Sequence, residues 1–178
     1  MSTPRIVLWV LSISAFFVLM LMNLWTVPII RADAGGLHIF DNRPFGYGLE
    51  DAKAILTALY EGDQAGLNLY LTLQRKLDTL FPTLFAIAMP WALWVMTDEW
   101  KKPFRIAVCL AGFIGPMCDL TENYFVAGLL RGGPEALTAE AVARASAFSV
   151  TKWVLDIIAG ITFLFLSWNL VLQRWRGH

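Results

Sequence analysis

Apolar residues dominate four long stretches of the chain, and shorter polar segments separate them. A helix needs about 20 mostly apolar residues to cross the hydrocarbon core of a membrane. The stretches that meet this length lie at about residues 6–30, 79–96, 104–130 and 147–172. The pattern predicts an all-α membrane protein: four transmembrane helices in an antiparallel bundle, forming a single integral membrane domain over residues 1–178.

The connection between the first two stretches, about residues 31–78, has a helical pattern of its own. Apolar residues at positions 52, 55, 56 and 59 follow the i, i+3, i+4, i+7 spacing of one helix face. Gly62 suits the end of that helix, and Asp63 suits the N-cap of another. We therefore expect two amphipathic helices here, on the bundle or at the lipid headgroups. The second is in a position to continue into the second span.

Composition supports a membrane protein and excludes several kinds of site. The 178 residues are 57% hydrophobic, whereas soluble domains are usually about 45–50% apolar. The formal net charge is zero, so the chain lacks the basic field that favours nucleic acid. Only two histidines and two widely spaced cysteines are present, which suit neither haem, nor a metal centre, nor a redox pair. We expect no metal, no cofactor and no nucleic-acid partner.

The distribution of positive residues predicts an orientation. Cytoplasmic loops of membrane proteins are enriched in lysine and arginine, and short loops decide the outcome. The short second connection and the end of the chain hold the residues Lys101, Lys102, Arg105, Arg174 and Arg176. We therefore expect both termini in the cytoplasm and the connection 31–78 on the outer side.

The third stretch carries ionisable residues that lipid does not tolerate. Asp119, Glu122 and Asn123 are spaced i, i+3 and i+4, so they share one helix face. In the fourth stretch, Lys152 and Asp156 are four residues apart and suit a salt bridge. Because the two helices are antiparallel, both groups lie about 8–16 Å from the outer ends of their spans. Each charge would cost about 2.5–3.5 kcal/mol facing lipid. We expect them to face each other inside the bundle.

The charges of this cluster do not cancel, because one lysine faces three carboxyl groups. Asp78, at the mouth of the second span, adds a fourth. Either a second cation comes from elsewhere in the chain, or burial keeps a proton on one of the carboxyl groups. Among Arg43, Arg75 and Lys76 we favour Arg43 as that cation, because the turn around Pro44 and Gly46 could fold it inward. Tyr47 is a further candidate for the site, although Tyr47, Tyr70 and Tyr124 also suit a role as interfacial anchors.

Five short motifs between about residues 40 and 155 resemble those of an uncharacterised family of small bacterial four-span membrane proteins. The family pattern reads D-x-R-x-x-G-Y, L-G-x-x-G-R-x-x-Y, D-x-x-F-P, D-x-x-E-N and K-W. The chain has D-N-R-P-F-G-Y at 41–47, D-T-L-F-P at 78–82, D-L-T-E-N at 119–123 and K-W at 152–153. It departs at Leu67, where the family has arginine. The resemblance implies the bacterial inner membrane and the same site residues, and it implies no reaction.

These observations favour a binding site for a lipid or small amphipathic ligand over two alternatives. The candidate ligand-binding residues are Asp119, Glu122, Asn123, Lys152, Asp156, Asp78, Arg43 and Tyr47. One alternative is an intramembrane enzyme in which Asp119 and Glu122 act as an acid/base pair. Another is an accessory subunit of a larger membrane complex, or a homo-oligomer. The polar cluster could also serve only to fix helix pairing.

Overall fold

The computed structural model describes residues 3–62 and 64–176, and it contains four long helices and one short one. The long helices are α1 (Thr3–Asp33), α3 (Ala65–Met96), α4 (Lys102–Gly132) and α5 (Ala139–Arg176). Each is long and apolar enough to cross a membrane. They pack antiparallel in chain order, with α1 against α3, α3 against α4 and α4 against α5. The predicted all-α class with four spans is confirmed.

The short helix α2 (Leu49–Glu61) lies in the first connection, as the apolar stripe predicts. Ala52, Ile55, Leu56 and Leu59 are all fully buried. They pack on the start of α5 and the end of α4, together with Phe40, Val126 and Leu130. Glu50, Asp51 and Lys53 lie on the exposed side. The stripe therefore joins the connection to the bundle through an apolar core.

The other helix expected in this connection is not separate, because it forms the first turns of α3. α3 begins at Ala65 and runs without interruption to Met96. Gln64 adopts a left-handed conformation with φ of 62°, and this turn divides α2 from α3. Asp63, the expected N-cap, lies outside the described residues. A single 3₁₀ turn, Phe40–Asn42, completes the connection.

Both helices that flank the first connection contain one wider π turn. The turns are Met22–Thr26 in α1 and Tyr70–Gln74 in α3. They face each other, and the Thr26 hydroxyl donates a hydrogen bond to the Gln74 side chain. Pro28 follows the first turn and has no N–H to continue the regular ladder. Turns of this kind occur often at functional sites, and both of these border the cavity described below.

We call the end of the bundle that carries the first and third connections the connection end. It comprises residues 34–64 and 133–138, with the helix turns beside them. The other end, with the second connection at residues 97–101, is the terminal end. The large apolar core lies at the connection end.

Candidate functional site

Lys152 of α5 lies at the centre of a buried ion cluster. Its Nζ donates a hydrogen bond to Asp119 Oδ1 at 2.8 Å and contacts Glu122 Oε2 at 2.7 Å. Asp41 Oδ1, from the first connection, is 3.6 Å away. Glu122 is completely buried, and Lys152 is 6% exposed. The cluster therefore ties the third and fourth spans to the first connection through one shared cation.

Asp41 is the cluster member that the sequence reasoning missed. The 3₁₀ turn at Phe40–Asn42 directs it inward, where the Tyr70 hydroxyl donates to Asp41 Oδ2 at 2.6 Å. The Trp153 indole N–H donates to the Asp41 carbonyl oxygen at 3.3 Å. The sequence does contain a signal for Asp41, because this residue opens the motif D-N-R-P-F-G-Y that carries the family resemblance. The same motif contains Arg43, which was chosen as the candidate instead.

Arg43 does not supply the second cation that the sequence suggested. Its guanidinium pairs with Asp51 at 2.9 Å and donates from Nε to the His38 carbonyl at 3.0 Å. Asp51 lies in the first turn of α2, where its other oxygen accepts the Gly48 N–H at 3.0 Å. Arg43 thus completes the cap of α2 at the surface. The buried cluster keeps three carboxyl groups for one lysine.

Tyr47 lies beside the cluster, inside the protein rather than at the membrane surface. It is 7% exposed and packs on Phe40 with ring centroids 5.0 Å apart. Burial raises the pKa of the Tyr47 phenol well above its usual range, and the negative charges of Glu122 and Asp41 raise it further. Tyr70 is also buried, so of the three proposed anchors only Tyr124, which is 71% exposed, suits that role.

Asp78 and Asn123 belong to a second polar group next to the cluster. The Asn123 amide donates to the Asp78 carbonyl oxygen at 2.7 Å, and the Gln74 amide donates to Asp78 Oδ1 at 2.7 Å. Gln74 in turn accepts from Thr26. Asp78 is 5% exposed. This chain of hydrogen bonds connects α1, α3 and α4 at the level of the two π turns.

Asp156 does not form the salt bridge expected with Lys152. The ammonium group of Lys152 turns toward α4, while the Asp156 carboxyl group lies against Gly115, where an added Cβ would collide with it. Asp156 Oδ1 is buried and has no hydrogen-bond partner among the described residues. Gly115 therefore provides the space for a carboxyl group that forms no salt bridge within the described part of the chain.

A cavity of about 580 Å³ runs from this polar region into the bundle. Along α3 its lining changes from Gln74 and Asp78 to Phe81, Phe85 and Met89. Along α5 it changes from Lys152 and Asp156 to Phe163. The volume is within the range of about 300–1,000 Å³ that is usual for small-molecule sites. The cavity therefore has one polar, acidic end and one apolar end.

The cavity lies between the first and the fourth span. Ser12, Ala15 and Phe16 of α1 form part of its wall, and the residues of α3 and α5 named above form much of the rest. A shallower groove of about 760 Å³ shares Asn23, Val27, Asn42 and Trp153 with the cavity. That groove reaches the exposed residues Arg31 and His38 at the connection end. The polar end of the cavity is thus close to the surface of the bundle.

Three of the clustered carboxyl groups are close enough together to share a cation. Asp41, Asp119 and Glu122 each offer an oxygen within 4.8 Å of the other two. Oxygen ligands of this kind suit hard divalent cations. The Lys152 ammonium, however, contacts all three groups. A metal ion could use these ligands only if Lys152 moved away.

The chain matches no protein-family model, no curated protein and no solved structure. The structure itself shows a multi-span membrane protein with a buried charged cluster of Asp41, Asp119, Glu122 and Lys152. The resemblance to the bacterial four-span family is therefore supported only by the short motifs quoted in the sequence analysis.

Proposed function

We propose that the protein binds a membrane-soluble amphipathic molecule in the cavity between α1 and α5. The observation that carries this proposal is the change in the cavity lining along two separate helices, from carboxyl and amide groups to aromatic and aliphatic groups. A molecule with a polar head and an apolar chain matches both ends. The polar groups fix the orientation of such a ligand, and the apolar end supplies contact area.

Lateral entry from the bilayer is part of the proposal. α1 packs mainly on α3 and lines the cavity opposite α5. A ligand already dissolved in the membrane could reach the cavity between these two helices without crossing water. The outward faces of both helices are strongly apolar; for example, Ile13 and Phe17 of α1 and Ile161 and Leu164 of α5 are all more than 60% exposed.

The alternatives have less support from the geometry. An acid/base pair formed by Asp119 and Glu122 would need at least one carboxyl group free to exchange protons with a substrate, but both contact the Lys152 ammonium. A role restricted to helix pairing explains the Lys152 cluster. It does not explain why Asp78 and Asp156 line a cavity of this size. The binding proposal explains both features.

The proposal includes an orientation in a bacterial inner membrane, with the terminal end toward the cytoplasm. Lys101, Lys102 and Arg105 around the second connection support it. A membrane-impermeant maleimide tests it in intact cells. A cysteine in place of exposed His38 should react, and one in place of exposed Lys101 should react only after permeabilisation. The reverse result would contradict the orientation.

Native mass spectrometry of protein released from its own membrane tests the binding proposal. Wild-type protein should carry one small amphipathic adduct. Ala88→Leu should lose it, because Ala88 is buried and lines the apolar end of the cavity. The matched control is Ala107→Leu, which adds the same side chain at an exposed position outside the cavity lining and should keep the adduct.

Thermal unfolding of both variants shows whether each still folds, and Ala15→Leu blocks the same space from α1 as a second variant. A wild-type spectrum without any adduct would contradict the proposal. So would an adduct that survives both blocking substitutions in folded protein.

A further inference from the structure

Among the described residues that line the polar end of the cavity, Lys152 is the one cation, and it already pairs with carboxyl groups. Lys152 Nζ contacts Asp119, Glu122 and Asp41 at 2.8, 2.7 and 3.6 Å. An ammonium group has three donors, and three carboxyl groups surround this one. Lys152 therefore has little capacity left to neutralise any other acid that faces the cavity.

Two further carboxyl groups face the cavity without a cation of their own. Asp78 lines it from α3 and Asp156 from α5. Asp78 accepts one amide hydrogen bond, from Gln74. Asp156 has a buried oxygen with no hydrogen-bond partner in the described ranges. Among the described lining residues, Lys152 is the only basic side chain, against the four acids Asp41, Asp78, Asp119 and Asp156.

Building on the binding function proposed above, we propose that the ligand is a membrane-partitioning amine, whose ammonium head binds between Asp78 and Asp156. An anionic head would meet an excess of negative charge in a site of low dielectric constant, where repulsion is strong. A neutral head would leave the buried charges uncompensated. An ammonium group brings the missing positive charge and can donate to the Asp156 carboxyl group where it lines the cavity.

Two more features of the site suit a cation. Glu122 is fully buried and contacts Lys152 Nζ at 2.7 Å, so this acid engages the lysine from inside the protein. Trp153, three residues before Asp156 on α5, also lines the cavity. Indole is the side chain that attracts cations best through its ring face. The apolar end, with Phe81, Phe85 and Phe163, would hold the alkyl chain.

A comparison of three probes with one alkyl chain tests this inference. Full-length protein in nanodiscs of zwitterionic lipid is loaded with radiolabelled dodecylamine, and binding is read by scintillation proximity. Unlabelled dodecylamine, 1-dodecanol and dodecanoate then compete. We expect dodecylamine to compete at least about tenfold better than 1-dodecanol, as a hydrogen-bonded charge pair can give. Dodecanoate should be the weakest competitor.

The variant Asp156→Asn should remove most of this preference and leave competition by 1-dodecanol unchanged. Asp98→Asn is the matched control, because it makes the same charge change at an exposed position in the second connection. It should keep the wild-type preference. Asp78→Asn provides a second variant if Asp156→Asn fails to fold, and the wild-type ranking of the three probes decides the question without any variant.

The possible failures are distinguishable. Equal competition by dodecylamine and 1-dodecanol would overturn the inference and leave the binding function in place. A preference that persists in both aspartate variants would also overturn it. Failure of all three probes to compete, or to bind above empty nanodiscs, would count against the binding function itself.

Discussion

The connection end and the terminal end of this protein are built on different principles. At the connection end, α2 and the 3₁₀ turn bury Phe40, Ile55 and Leu56 completely, and the ion cluster lies next to this apolar core. Toward the terminal end, α5 presents Leu164 and Phe165, which are 66% and 61% exposed, as a surface for lipid. Interactions within the protein therefore fix the connection end, whereas the bilayer surrounds much of the other half.

Removal of the central cation should cause the largest loss. In Lys152→Met, three buried carboxyl groups lose their shared partner. We expect a loss of about 3–5 kcal/mol in the free energy of unfolding, measured in bicelles. Lys101→Met makes the same change at an exposed position of the second connection and should cost less than about 0.5 kcal/mol. Equal effects would remove the contrast between the two ends.

Truncation of a core leucine gives the next largest difference. Leu56 of α2 is fully buried, so Leu56→Ala should leave a cavity and cost about 2–5 kcal/mol. Leu164→Ala, at a side chain that faces lipid, should cost much less, because lipid can fill the space. The same unfolding assay measures both variants. A similar loss in each would mean that α2 contributes no more to stability than the lipid-facing surface of α5.

Two glycine-to-alanine substitutions compare a closely packed position with an open one, and we expect them to change stability less than the substitutions above. A Cβ on Gly66 would lie 2.5 Å from Asp33 Cβ, so Gly66→Ala should cost about 1–3 kcal/mol. Gly160 of α5 has nothing within 4 Å of an added Cβ, so Gly160→Ala should be neutral or stabilise by up to about 1 kcal/mol. Thermal unfolding in detergent compares the two, and a destabilised Gly160→Ala would show a contact that the structure lacks.

The smallest expected effect concerns pH at the cap of α2. The Gly48 N–H, and then Arg43, hold the pKa of Asp51 below its usual range. A lowered pKa stabilises the folded state above the unfolded pKa of about 3.9, and this contribution is lost as the pH falls through the lower folded value. Because the Asp51 side chain is about half exposed, Asp51→Asn should cost less than about 1 kcal/mol at pH 7.

The difference between wild type and Asp51→Asn should shrink below about pH 4. A deficit of Asp51→Asn that stays constant down to pH 2 would show that the lost interaction does not involve the charged carboxylate.

The sequence predicted the spans well because hydrophobicity and helix length are local properties. The stripe at Ala52, Ile55, Leu56 and Leu59 was equally readable, since its spacing alone defines one helix face. The rise per residue along two antiparallel helices also placed Asp119, Glu122 and Lys152 at one depth in the membrane, because an antiparallel hairpin fixes their relative heights. The structure brings these three together.

The partners that come from the first connection could not be predicted in this way. A single 3₁₀ turn decides that Asp41 points inward, and the cap of α2 decides that Arg43 stays at the surface. Both depend on tertiary packing rather than on helical spacing. A ligand cavity near Asp78, Asp119, Lys152 and Asp156 was expected, but the contribution of α1 to its wall was not, because it depends on the path of α1 relative to α5, which no local pattern reports.

An experimental structure in lipid nanodiscs tests the central claim most directly. We expect elongated density between α1 and α5, which begins near Asp78 and Asp156 and runs along Phe85 toward Phe163. Contact of α1 with α5 that closes this space, with Asp78 and Asp156 bonded to protein groups alone, would contradict it.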